Sequence, residues 1–152
     1  MDFNQFYSKV SVFGNCLQSP LLLIIRLFWG GSFFITGIGK FAHIGKVTQF
    51  FQMLGIPFPA FSAFLTGLIE LVGGACLFLG VASRLITIPL IFTMITALAT
   101  AENEAVRRIF LDPQNFIHRE PFSFLFASLL VFVFGPGAIS LDYWLWRKKS
   151  EI

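Results

Sequence analysis

Glu70 is the residue whose setting asks most of the chemistry, because the run from 58 to 81 carries no other charge. An acid near the middle of a lipid-embedded helix costs about 2.5–3.5 kcal/mol on insertion scales, so something must offset it. Ala63, Gly67, Glu70 and Gly74 recur at i, i+4, i+7 and i+11 and share one stripe of a helix, which Gly73 widens. Small residues let a second helix approach closely. Glu70 therefore faces protein or a cavity and not lipid. Two roles fit it: a ligand, proton or partner site, or a hydrogen-bonded acid that fixes helix packing.

The bases that could meet Glu70 sit on the preceding apolar run. Arg26, Gly30, Phe33, Gly37 and Lys40 repeat at the same helical spacing, with Gly30 and Gly37 as further packing positions. Helical side chains lean toward their own N-terminus. In an antiparallel pair Lys40 leans inward toward Glu70 while Arg26 leans away. Lys40 is the expected partner, although the two helix positions differ in height by on the order of 10 Å. Arg26, near the start of its run, is expected to snorkel to the near interface.

The elements that must position these charges follow from composition. Of the 152 residues, 56% are hydrophobic and 12% charged, against about 45–50% and about 25% in soluble domains. Twenty-one Phe exceed what one small water-soluble core can hide. The expected class is all-α: a polytopic membrane protein with four transmembrane helices, at 20–41, 58–81, 85–101 and 121–141, and amphipathic flanks. The runs are apolar on every face, which excludes the alternating strands of a membrane barrel. Residues 1–19 read as an amphipathic interfacial segment, 20–145 as the membrane domain and 146–152 as a basic tail.

A second amphipathic stretch covers 41–54, and Gly55-Ile56-Pro57-Phe58-Pro59 breaks the chain before it re-enters lipid. A tight connection around Ala82, Ser83 and Arg84 makes the second and third spans antiparallel neighbours. The 102–120 connection holds the densest charge, with Glu104 spaced to pair with Arg108 and Asp112-Pro113 as a turn. Lys9, Arg84, Arg147, Lys148 and Lys149 on one side balance Lys40, Lys46, Arg107, Arg108 and Arg119 on the other. Arg26 tips the count toward cytoplasmic termini.

The net charge of +3 arises from scattered charges at span ends, which argues against nucleic acid. Cys16 and Cys76 form no CxxC, so thiol–disulfide exchange is not supported. His43 and His118 have no ligand-spaced neighbours, and no metal or haem site is expected. No phosphate loop or serine nucleophile motif is present. The abundant Phe side chains could form a flat pocket for a quinone or sterol, or simply face lipid.

In order along the chain stand Ile25-Arg26-Leu27, Gly37-Ile38-Gly39-Lys40-Phe41, Leu54-Gly55-Ile56-Pro57, Gly67-Leu68-Ile69-Glu70-Leu71-Val72-Gly73-Gly74, Gly80 with Ser83-Arg84-Leu85, and Gly135-Pro136-Gly137-Ala138-Ile139-Ser140-Leu141-Asp142. Together they resemble the DoxX family of small four-helix membrane proteins over roughly residues 21–145. The resemblance implies motif roles for Arg26, Lys40, Glu70, Arg84 and Asp142. It also implies, for some members, redox work linked to quinones or to oxidative-stress enzymes as partners. Many relatives carry a His where the third span ends; here that stretch reads Ala101-Glu102-Asn103-Glu104, with His118 as the candidate to replace it.

The expected protein is thus a DoxX-like subunit of a redox complex in a bacterial inner membrane, with Glu70, Lys40 and Arg26 around a pocket for a quinone or small apolar molecule. A non-catalytic scaffold subunit is the competing class. A small-solute transporter is a third, weakened by the absence of a half-repeat.

Overall fold

The computed structural model describes residues 3–149, which form helices and no strands. Helix α1 (Phe3–Ala42) is followed by the short α2 (Ile44–Met53), then α3 (Pro59–Leu79) and α4 (Ser83–Thr100). Two single-turn pieces, α5 (Asn103–Arg107) and α6 (Pro113–Ile117), lead into α7 (Glu120–Phe134), and α8 (Leu141–Lys149) ends the described chain.

Among the described residues, three helices are long and apolar enough to cross a membrane: α1 over Tyr7–Ala42, α3 and α4. The fourth expected span is shorter than the sequence suggested. Helix α7 has 15 residues, about 22 Å at about 1.5 Å per residue, against a hydrocarbon core of about 30 Å. The reason is local: Gly135 leaves helical geometry at φ +81, and Pro136 has no backbone N–H with which to continue. Residues 135–140 become a turn instead of the last helical turns.

The amphipathic 1–19 stretch is also not set off from the first span. Helix α1 runs without interruption through Pro20. Tyr7, Val10, Val12, Phe13 and Leu17 are all exposed, and burial begins at Leu22 and Ile25. The first half of α1 therefore extends beyond the packed helices.

Helix α1 packs against α3 and α7, α3 against α2 and α4, and α4 against α7. Ile25, Phe33, Leu77, Leu90, Met94, Ala127 and Val131 form the buried core between them. The α1–α3 contact is backbone on backbone. A methyl group at Gly30 would lie 2.7 Å from the Phe78 nitrogen, one at Gly37 2.5 Å from that of Leu71, and one at Gly74 2.4 Å from that of Phe34. Gly67 faces Phe41 and Lys40 with ordinary contact distances, whereas Gly73 faces Leu90 of α4. The small-residue stripe thus serves two neighbours. Leu71, off the stripe by spacing, presents its backbone to Gly37.

Helix α3 ends in a Schellman-type turn: Val81 N donates to Cys76 O (2.9 Å) and Gly80 N to Leu77 O (3.2 Å), with Gly80 at φ +73. Ala82 is also left-handed, at φ 47. Such a conformation costs a non-glycine residue on the order of 1 kcal/mol and persists only where neighbours hold it. At the other end of α3, Phe58 is likewise left-handed (φ 49), and Pro59 opens the helix where no N–H is required.

Candidate functional site

Glu70 is 3% exposed and lies on the face of α3 that meets α1 and the interior. Lys40 Nζ donates to Glu70 Oε2 and forms an ion pair with it. The inward lean of Lys40 brings the two together as expected, but the anticipated height difference does not exist. Gly37 sits opposite Leu71, so Lys40 is only about two residues, roughly 3 Å, along the axis from the level of Glu70. The close approach at Gly30, Gly37 and Gly74 sets that register.

The pair lines a cavity of about 580 Å³ in the half of the molecule nearer α2 and the α5–α6 connection. That volume is within the range of small-ligand sites. Phe33, Ile69, Phe92, Met94 and Phe124 give it apolar walls, and Phe50 and Phe51 bring α2 over it. Phe33 and Phe124 hold each other edge to face, with ring centres 4.5 Å apart. Thr36, Thr66, Thr93, Thr96 and Thr100 add hydroxyl groups to the same walls. Glu102, His118, Arg119 and Glu120 supply further polar lining, and Arg119 Nη1 lies 3.3 Å from Glu102 Oε2.

Arg26, Arg84 and Asp142 are not at this cavity. Fourteen residues of α1 separate Arg26 from Lys40, about 21 Å of helix, and the three charges instead tie the opposite end together. Arg26 does not snorkel to solvent. It is 1% exposed, and Nη2 donates to Ile139 O. Its guanidinium lies so close to Gly80 that a Cβ there would sit 1.7 Å from Nη1. The snorkelling expectation fails because the Gly80 turn and the segment after α7 cover the side chain.

Asp142 accepts from Ala82 N (2.7 Å) and Ser83 N (2.8 Å), and its own N–H donates to Gly80 O (2.9 Å). Its carboxylate therefore caps α4 and holds the left-handed Ala82 in place. Helix N-termini favour an anion in this position. Arg84, more exposed, reaches Val133 O at 3.4 Å at the C-terminus of α7, where a cation is favoured. Ser19 Oγ accepts from Ala138 N (3.1 Å). These contacts make a lock of residues distant in sequence.

The DoxX family model matches residues 21–103, more than half of the chain. The chain belongs to the DoxX family. The match ends before the Gly135–Asp142 segment that also carried the resemblance. A Bacillus subtilis (strain 168) protein named "Putative oxidoreductase CatD" is 29% identical over 129 residues, covering 85% of this chain and 90% of that one. The Mycobacterium tuberculosis (strain H37Rv) "Uncharacterized membrane protein Rv3486" is 31% identical over 143 residues, covering 86% of this chain and 85% of its own. No solved structure matches the chain at a significant level.

In this DoxX protein the motif charges thus divide into a cavity pair and an end lock. Sequence reasoning missed three contributors to the cavity. The Glu102–Arg119 pair joins the two ends of the densest charge cluster, and opposite signs there were the available signal. Phe50 and Phe51 of α2 show in the sequence only as part of an amphipathic stretch. The threonines of α4 disappear into an apolar run, since one hydroxyl barely lowers the hydropathy of a helix. By contrast, the i,i+4 pair of Glu104 and Arg108 forms at 3.0 Å as spaced, but both side chains are exposed and such pairs contribute little. Asp112-Pro113 opens α6, with the Asp112 carboxylate accepting from Asn115 N at 3.1 Å.

Proposed function

We propose that this DoxX protein is a subunit of a membrane-associated redox complex whose cavity binds a quinone or a similarly small apolar ring, with Glu70 and Lys40 as its polar anchor. The observation that carries the reading is an ion pair whose carboxylate is only 3% exposed, lining a largely apolar cavity of ligand size. Packing alone does not require an ion pair beside so much open volume, because a buried pair repays its desolvation poorly. The lining suits a quinone: flat aromatic walls for the ring and polar groups for its oxygens.

A bound quinone would supply electron-transfer chemistry. The chain's own part is to orient the ring between Phe side chains, to exclude water, and to hold or release a proton at Glu70 Oε1, the oxygen not engaged by Lys40. The relative named as an oxidoreductase is consistent with redox work of this kind. The test is native mass spectrometry and an optical spectrum of protein purified in mild detergent. A retained quinone or aromatic ligand supports the reading; recovery with structural lipid alone, together with no binding of added quinone, refutes it.

A scaffold role is the second reading, favoured by the end lock, where Arg26, Arg84 and Asp142 are all engaged in holding helices and turns. In either reading we place the protein in a bacterial inner membrane, with α7 as a fourth, short crossing and both termini cytoplasmic. Reporter fusions after Lys149 and within 108–112 should then report opposite sides. Reporters on one side would remove the fourth crossing, and an external C-terminus would reverse the orientation.

A further inference from the structure

Five of the six hydroxyl groups around the cavity, all but that of Thr66, have their hydrogens already engaged. Thr36 Oγ1 donates to Phe33 O (2.9 Å), Thr93 to Leu90 O (2.8 Å), Thr96 to Phe92 O (2.9 Å) and Thr100 to Thr96 O (2.7 Å). Ser62 Oγ, also in the lining, donates to Pro57 O (2.8 Å). A hydroxyl carries one hydrogen and two acceptor lone pairs, so in this arrangement each of these groups can meet a guest only as an acceptor. Back-bonding of this kind is ordinary for Thr inside helices. Its effect here is unusual because several such groups line one cavity.

Glu70 adds to the same bias. An ionised carboxylate only accepts; Oε2 is held by Lys40, and Oε1 is left for a guest. Against these acceptors stand fewer donors: the remaining N–H groups of Lys40, the Thr66 hydroxyl, an N–H of His118 and Arg119 Nε, the rest of that guanidinium being turned to Glu102 and to Asn115 Oδ1 (2.7 Å). The two ion pairs each cancel their own charge, so neither offers a net positive site to an anionic phenolate. The favoured guest is neutral, aromatic and able to donate hydrogen bonds.

We infer that the cavity prefers the reduced, hydrogen-bond-donating form of its aromatic guest, a hydroquinone, over the corresponding quinone. The inference rests on the ligand reading proposed above. A hydroquinone hydroxyl donates to a threonine oxygen or to Glu70 Oε1 and can still accept from Lys40. A quinone oxygen only accepts; it can use Lys40 and the few other donors but leaves the lone pairs of the back-bonded threonines unpaired, which is costly in a largely apolar surround. Because differential affinity shifts an equilibrium, binding favours the reduced member of the couple.

The test uses the full chain in detergent micelles under anaerobic conditions, with calorimetric titration of three ring-methylated probes. Durohydroquinone, duroquinone and the dimethyl ether of durohydroquinone share a skeleton, but only the first carries O–H donors. Durohydroquinone is expected to bind at least about tenfold more tightly than either of the others, as one or two extra hydrogen bonds in an apolar site allow. Thr93→Val with Thr96→Val should weaken durohydroquinone severalfold, the part not carried by Glu70 Oε1, and leave duroquinone nearly unchanged. Thr96→Ser should keep the preference. Duroquinone binding as tightly as durohydroquinone in the wild-type protein overturns the inference while leaving the cavity reading intact. A preference undiminished by the paired valines, or by Thr96→Val alone where the pair does not fold, removes it from the threonines and also overturns it. Failure of all three probes to bind refutes the cavity reading, and the inference with it.

Discussion

Gly74→Ala is expected to prevent folding or to destabilise the protein by about 3 kcal/mol or more, while Gly39→Ala is tolerated or slightly stabilising. The contrast is geometric. A methyl group at Gly74 would sit 2.4 Å from the Phe34 nitrogen and 2.7 Å from Gly30 O, both backbone atoms that cannot swing aside, whereas nothing lies within 4 Å of one at Gly39. To accommodate it, α1 and α3 must separate along the face that also sets Lys40 level with Glu70. Detergent-solubilised yield and thermal melting of the two variants measure this. Equal tolerance would mean that α1 and α3 do not pack as described.

The second large effect is expected at Asp142, far from the cavity. Asp142→Ala removes the acceptor of the first α4 amides, releases the left-handed Ala82, and takes a negative charge from the neighbourhood of buried Arg26. Two of the Arg26 nitrogens, Nε and Nη1, have no hydrogen-bond partner, so its surroundings leave little to compensate. A lost cap costs about 1–2 kcal/mol and an uncompensated buried charge more, giving about 2–4 kcal/mol in total. Asp142→Asn, which keeps an acceptor but loses the charge, should fall between. The segment after Phe134 should also become protease-sensitive in Asp142→Ala. Melting and limited proteolysis unchanged from wild type would show that the lock holds nothing.

What the sequence made legible was local helix geometry. The cost of burying Glu70, the stripe of small residues around it and the inward lean of Lys40 all follow from helical spacing, and the ion pair forms. What it could not give was register and long-range closure. The height of Lys40 relative to Glu70 depends on which backbone atoms meet at Gly30, Gly37 and Gly74. The fate of Arg26 depends on Gly80 and on Ile139, which is 113 residues away. Arg26 therefore does not share a site with Glu70, although both charges are buried. In sequence the fourth span looks full length because its apolar run continues through the Gly-Pro-Gly turn that ends α7 at Phe134.

The central question is whether Glu70 serves a ligand or only a helix contact. Glu70→Gln keeps the volume and a hydrogen-bonding oxygen for Lys40 while removing the carboxylate. As a packing device it should be nearly neutral in every respect, since the amide oxygen still accepts from Lys40, whose side chain, 24% exposed, keeps its charge partly hydrated. As the polar anchor of the cavity it should leave a protein that still folds, with a melting temperature close to wild type, but that binds durohydroquinone at least about tenfold more weakly. The most direct measurement is therefore paired calorimetric titration of wild-type and Glu70→Gln protein, with thermal melts of the same samples. A folded variant that has lost the ligand is the expected result; undiminished binding, or lost stability with binding intact in the folded fraction, would contradict it.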